Sequence, residues 1–282
     1  MDTIYLQQPV TDIGEHSQLH LAAYWGHTKI VEELLNRGAF VDDGIEEHND
    51  TALAMAAVKG QVETMEHLLA RNANVNAVFN GRGLLINYAI ASGNRKAVQL
   101  LVDKNASLSV STMSGEAQET WAPLSFAAIC SDLGMLNFLL EQYHEDLSTQ
   151  DYEQAFWFAS LTGKTDIMEM LVVASKFNAE GHDFEPDLGI AVDHKAWKSV
   201  KFLVGHEKSR GKTDFSEALV ALVKDVDENL DILEAFWDNV GDRLSREKVN
   251  EALYIATDKE KEDAVHLLLT KFQADANATG EE

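Results

Sequence analysis

The chain has 282 residues, of which 45% are hydrophobic and 25% charged, so its composition excludes an intrinsically disordered protein and predicts a packed core. The chain has 47 acidic and 23 basic residues, which gives a formal net charge of −24. This charge argues against nucleic acid and anionic membrane surfaces as partners. This charge suits a basic protein segment or a small cation, although it also serves solubility alone.

The expected compartment follows from the N-terminus, the apolar runs and the cysteine count. Residues 1–6 contain no basic segment followed by an apolar run, so no secretory signal is expected. No apolar run approaches the ~20 residues needed to cross a bilayer. Cys130 is the only cysteine, which rules out an internal disulfide. We therefore expect a cytoplasmic or nuclear protein.

Residues 17–39 predict a first pair of short antiparallel helices. The apolar residues between Gln18 and Trp25 lie on one face of a short helix, and Gly26 can adopt the left-handed backbone that ends it. A second helix then begins near Lys29. Its apolar residues at helical spacing are Ile30, Val31, Leu34 and Leu35.

The same pattern returns along the chain, since Gly26 and Gly60 are 34 residues apart, as are Leu35 and Leu69. One small residue of the first helix can be followed through all repeats, with successive spacings of 34, 33, 38, 32, 32, 30 and 35. We call these residues the tracked alanines: Ala22, Ala56, Ala89, Ala127, Ala159, Ala191, Ala221 and Ala256. The longest spacing predicts an extended polar loop at residues 109–117.

The first two repeats resemble the ankyrin consensus T-P-L-H-x-A-A-x-x-G-H-x-x-I-V-x-x-L-L-x-x-G-A, and residues 122–128 restore its proline-leucine step. The match weakens after about residue 150, where Lys195 replaces the turn glycine. The resemblance implies an all-α ankyrin-repeat solenoid of about eight helix-turn-helix repeats with short finger loops. We expect one domain over 1–282, with an N-terminal segment at 1–14, repeats at 15–277 and a frayed tail at 278–282.

In the ankyrin family, the exposed side of the inner helices and the finger loops form a concave surface that binds partners. Tyr24, Trp25 and Trp121 are the expected aromatic anchors, although each could instead pack within the protein. The second half of this surface carries acidic residues and is either a groove for a basic peptide or a solvated face. The expected partner-binding residues are Tyr24, Trp25, Arg82, Trp121, Asp151, Glu153, Asp183, Glu185, Asp193 and His194.

We therefore expect an interaction scaffold, monomeric, that binds a protein or peptide. The alternative is an atypical enzyme or small-molecule-binding protein with a pocket in repeats four to six, because the repeats after about residue 150 depart from the consensus. Trp157 stands where the first repeat has His20, and the pocket residues would be Cys130, Trp157 and Trp197. No HExxH, paired CxxC or EF-hand pattern is present, so no metal, cofactor or catalytic residue is assigned.

Overall fold

The computed structural model describes residues 17–44, 50–79, 83–108, 121–130, 132–174, 177, 184–207, 215–225 and 230–278. The helices of the first half are α1 (Gln18–Tyr24), α2 (Thr28–Asn36), α3 (Ala52–Val58), α4 (Val62–Ala70), α5 (Leu85–Ala91), α6 (Arg95–Asp103), α7 (Pro123–Cys130) and α8 (Leu133–Tyr143). Those of the second half are α9 (Thr149–Thr162), α10 (Thr165–Val172), α11 (Glu185–Asp193), α12 (Trp197–Glu207), α13 (Ser216–Asp225), α14 (Leu230–Val240), α15 (Arg246–Asp258) and α16 (Glu262–Thr270). A 3-10 helix spans Gly241–Arg243.

These sixteen helices of the described ranges form eight consecutive pairs, as the sequence predicts. The regular β structure within the same ranges is one antiparallel pair, β1 (Val78–Phe79) and β2 (Gly83–Leu84), in which Val78 lies opposite Leu84. This pair stands at a finger position between α4 and α5. None of the described helices is both long and apolar enough to cross a membrane.

The chain divides into two compact units, Met1–Ala155 and Phe156–Glu282. In the first unit, α1, α3, α5 and α7 pack side by side in chain order, while α2, α4 and α6 form a second layer. In the second unit, α11, α13 and α15 form one layer, and α10, α12, α14 and α16 form the other. We call the odd-numbered helices the inner helices, and their solvent-facing side within each unit the inner-helix surface.

The tracked alanines occupy equivalent positions in both units, with one exception. Seven of them have 5% or less of their surface exposed. In six, the alanine carbonyl accepts the backbone N–H five residues later at 2.7–3.4 Å, a bond that closes the inner helix. These six are Ala22, Ala56, Ala127, Ala159, Ala191 and Ala256.

The residue four positions after a tracked alanine turns the chain toward the next helix. Gly26, Gly60, Gly93 and Gly163 stand there with φ between 63° and 73°. Lys195 and Glu260 hold the same left-handed backbone, with φ of 56° and 55°. The prediction that Lys195 replaces a turn glycine is therefore confirmed, and its geometry is kept despite the Cβ.

The assignment of Ala221 as a tracked alanine is wrong. Ala221 is half-buried on the inner-helix surface, whereas Val223 is completely buried. Val223 lies 32 residues after Ala191 and 33 before Ala256, so it restores the regular period that Ala221 breaks. The core position of this repeat holds valine, a larger side chain than the alanine of the other repeats.

Candidate functional site

In repeats one and three of the first unit, the position two residues before the tracked alanine links neighbouring repeats. His20 is 2% exposed, and its Nε2 donates to the carbonyl oxygens of Asp43 and Asp50 at 2.9 and 3.0 Å. Asn87 Nδ2 donates to the Trp121 carbonyl at 2.9 Å from the same position two repeats later. His20, at the consensus histidine position, is therefore structural. We call this position the linking slot.

An exposed aromatic cluster lies on the inner-helix surface of the first unit. Trp25, at the C-terminal end of α1, keeps 60% of its surface exposed. Its ring meets that of Tyr24 edge-on, with centroids 5.1 Å apart. Lys59 Nζ lies 4.7 Å from the centroid of the Tyr24 ring, a cation–π distance. The Trp25 ring thus contacts Tyr24 and remains mostly in solvent, at a position where a partner can reach it.

Trp121 is bound into the protein more firmly than Trp25. It is half-buried, and its ring stacks on Phe126 with centroids 6.2 Å apart. Its carbonyl also receives the Asn87 hydrogen bond described above. Trp121 therefore contributes to the packing between α5 and α7, and only part of its ring faces solvent.

Asp151 differs from the expectation of a surface finger residue. It is 2% exposed, and its Oδ2 accepts hydrogen bonds from the backbone N–H and the hydroxyl of Ser148, both at 2.7 Å. The Asp151 N–H in turn lies 3.3 Å from Ser148 Oγ. This reciprocal arrangement is a capping box at the start of α9. Its carboxylate is occupied by the helix and is not available to a partner.

The remaining acidic and basic candidates are three exposed residues, one residue that begins a helix and two residues outside the described ranges. Glu153, Asp193 and His194 are exposed, and His194 Nδ1 lies 3.1 Å from the Ile190 carbonyl. Glu185 is the first residue of α11. Arg82 and Asp183 lie outside the described residues, as do the predicted loop at 109–117 and the segment 1–14.

A groove of about 410 Å³ opens between α11 and α13 on the inner-helix surface of the second unit. Leu188 and Ala218 form its base, since each is 4% exposed. Asp193 and Glu217 are exposed and stand at its rim. The lining residues are Leu188, Gly189, Val192, Asp193, Glu217, Ala218 and Ala221.

The residues in the linking slot contribute to the groove. Once Val223 replaces Ala221 as the core position of repeat seven, the slots of repeats six and seven hold Gly189 and Ala221. A Cβ built on Gly189 would meet nothing within 4 Å, so the space beside it is open. Two of the smallest side chains thus stand where His20 and Asn87 fill the interface in the first unit.

Lys248 lies between two carboxylates next to this groove. Its Nζ is 2.9 Å from Glu217 Oε1 and 2.7 Å from Glu251 Oε2. Hydrogen bonds to the Glu251 and Glu217 carboxylates raise the pKa of the Lys248 ammonium above its ordinary value. Asp193 makes no ion pair or hydrogen bond through its carboxylate with the described part of the chain.

The three candidate pocket residues do not line this groove. Cys130 ends α7 and is half-buried. Burial, together with the nearby Asp132 carboxylate, raises the pKa of its thiol to about 11, which disfavours the thiolate needed of a nucleophile. Trp157 is half-buried and meets Phe158 edge-on at 5.1 Å, and Trp197 is half-buried at the start of α12. A pocket in repeats four to six stays a prediction.

Sequence reasoning found Asp193 but missed Gly189, Glu217 and Ala221. A signal was present, because the irregular spacings of 30 and 35 around Ala221 marked a wrong register. Among the described residues, no group of three or more His, Cys, Asp or Glu side chains is arranged to hold a metal ion.

Comparison with known proteins agrees with the repeat pattern. Residues 5–79 match the family model of ankyrin repeats, in three copies. The curated proteins contain no significant match to the chain. Among solved structures, the human ASB11 ankyrin repeat domain is similar, with 17% sequence identity and a TM-score of 0.37 over 94% of this chain and 87% of that one. The chain contains ankyrin repeats, and its described helix pairs have the ankyrin-repeat fold.

Proposed function

We propose that this chain is an interaction module whose inner-helix surface binds a protein or peptide partner. Ankyrin repeats generally serve this role, and the observation that carries the proposal here is Trp25, 60% exposed beside Tyr24. An exposed aromatic ring that already contacts a neighbouring ring loses little conformational entropy when a partner covers it. Such a residue suits the centre of an interface.

The charge of the chain supports a basic partner. Asp193, Glu217 and Glu251 lie on the inner helices of the second unit, with Lys248 between two of them. A net charge of −24 opposes binding to nucleic acid and to anionic membranes. A monomer in the cytoplasm or nucleus belongs to the same proposal, and the single cysteine supports a reducing compartment.

The test compares two truncations of exposed apolar side chains. Trp25→Ala removes the proposed anchor on the inner-helix surface, and Ile30→Ala removes a side chain 51% exposed on α2, in the other layer. We expect Trp25→Ala to weaken capture of specific partners by about tenfold or more, as at interface hot spots, while Ile30→Ala retains them. Captured proteins are quantified by mass spectrometry, and unfolding midpoints check that both variants fold. Equal capture by Trp25→Ala and wild type would remove this surface from the proposal.

A further inference from the structure

We propose that the groove between α11 and α13 binds an arginine side chain from an extended segment of the partner. The proposal rests on the proposed function, since it assigns part of the inner-helix surface to one chemical group of the bound protein. The volume of the groove, about 410 Å³, falls within the range of roughly 300–1,000 Å³ typical of ligand sites.

The packing of α11 does not explain why a glycine, Gly189, stands beside the groove. Gly189 lies in the middle of α11, where glycine is a weaker helix former than alanine. Its backbone does not have a positive φ, and an added Cβ would meet nothing within 4 Å. Neither backbone conformation nor crowding therefore requires glycine here. Glycine does keep the space beside it open, which a larger side chain would occupy.

The chemistry of the lining selects a long cation. Leu188, Val192 and Ala218 offer an apolar base and wall for methylene groups. Asp193 and Glu217 stand at the rim, where they would accept hydrogen bonds from a charged end group and repel an anion. Arginine combines an apolar stem with a planar guanidinium that can bond two carboxylates at once.

Lys248 reduces the negative charge that is available to a ligand at the rim of the groove. It holds Glu217 at 2.9 Å, so an incoming guanidinium competes with an ammonium already in place. The Asp193 carboxylate has no such competitor in the described ranges. Asp193 is therefore expected to provide the stronger contact, and removal of Lys248 is expected to strengthen binding by releasing Glu217.

The experiment titrates the isotope-labelled full chain with the peptide acetyl-Gly-Ala-Arg-Ala-Gly-amide and follows backbone amide chemical shifts. The matched probe carries citrulline, which keeps the shape of arginine without its charge. We expect saturable shifts at Gly189, Asp193 and Ala221 with the arginine peptide and about tenfold weaker binding of the citrulline peptide, because charge-assisted hydrogen bonds are lost.

Three variants test the assignment of each part. Asp193→Asn should weaken the arginine peptide about fivefold to tenfold, while Asp238→Asn, exposed on α14 in the other layer, should not. Lys248→Met should tighten binding, while Lys201→Met, which frees Asp231 with the same change in net charge, should leave it unchanged. Gly189→Leu should abolish binding with both carboxylates intact, because the side chain fills the open space.

Several outcomes would overturn the proposal. These are shifts that do not saturate, equal binding of arginine and citrulline peptides, or variants that follow net charge rather than position. Failure here is distinguishable from failure of the proposed function. The titration reports only on groove amides, whereas the capture experiment depends on Trp25 in the first unit.

Discussion

Cys130 shows how the surroundings of one residue limit its chemistry. Its thiol is half-buried near the Asp132 carboxylate, and both burial and that negative charge disfavour the thiolate. The pKa is raised from 9.0 to about 11, so the neutral thiol persists throughout the physiological range.

Alkylation of Cys130 by iodoacetamide should therefore be slow at pH 8. Because only the thiolate reacts, the shift from 9.0 to about 11 lowers its population roughly a hundredfold. We expect the rate to rise about tenfold per pH unit until pH approaches the raised pKa, as measured by mass spectrometry. The same chain in urea, where the thiol has its ordinary pKa, is the control. A native rate equal to that in urea would contradict the burial described above.

Glu260 offers a second prediction at the residue scale. Its φ of 55° is costly for a side chain with a Cβ, and no hydrogen bond or ion pair of its side chain offsets that cost in the described ranges. Glu260→Gly should raise the free energy of unfolding by about 0.5–1 kcal/mol, after allowance for the entropy of glycine. Urea denaturation measures it. Gly163→Ala, at the equivalent position with φ of 73°, should shift the midpoint the other way.

At the scale of elements, most inner helices end in the same backbone hydrogen bond, and seven of the eight repeats place an alanine with 5% or less of its surface exposed at the core position. The carbonyl of Ala191 accepts the Ala196 N–H at 2.7 Å, and Ala191 itself is completely buried. Ala221, one repeat later, lies at the edge of the groove. The two alanines are thus alike in sequence and different in packing.

Enlarging these two residues should have opposite consequences. Ala191→Leu overpacks a filled contact and should lower the free energy of unfolding by about 1–3 kcal/mol. Ala221→Leu extends into open space and should change it by less than about 0.5 kcal/mol, as for surface substitutions. Chemical denaturation compares the two. Equal losses would mean that Ala221, and not Val223, occupies the core position.

At the scale of the whole molecule, like charges dominate. With 47 acidic and 23 basic residues, repulsion between like charges acts against compaction. Ion pairs such as Lys201 with Asp231 are exposed and contribute little to stability. Salt weakens both the repulsion and the exposed ion pairs, and at 0.1 M it largely screens charges that lie more than roughly 10 Å apart. The larger of the two decides the response of stability to ionic strength.

Raising sodium chloride from about 10 to 150 mM should therefore increase the unfolding midpoint, because screening relieves repulsion more than it weakens exposed pairs. Thermal unfolding at fixed pH measures the change. Sodium and potassium chloride should act alike, since the effect depends on ionic strength. A lower midpoint in salt would mean that the surface ion pairs outweigh the net charge.

The sequence by itself determined the repeated helix pair, its period and most of its turns. These features depend on residues close together in the chain, as where the Ala22 carbonyl accepts the His27 N–H across the left-handed Gly26. The resemblance to the ankyrin consensus placed Trp25 among the exposed inner-helix residues. The local signals were weaker in the second unit, where Lys195 and Glu260 hold the turn without glycine.

The tertiary structure alone decided which slots are filled and which are open. Gly189 and Ala221 are 32 residues apart and line one groove only because α11 packs on α13, so no local pattern could show that groove. Helix and turn formation follow local backbone chemistry, whereas cavities follow from side-chain volumes that neighbouring repeats bring together.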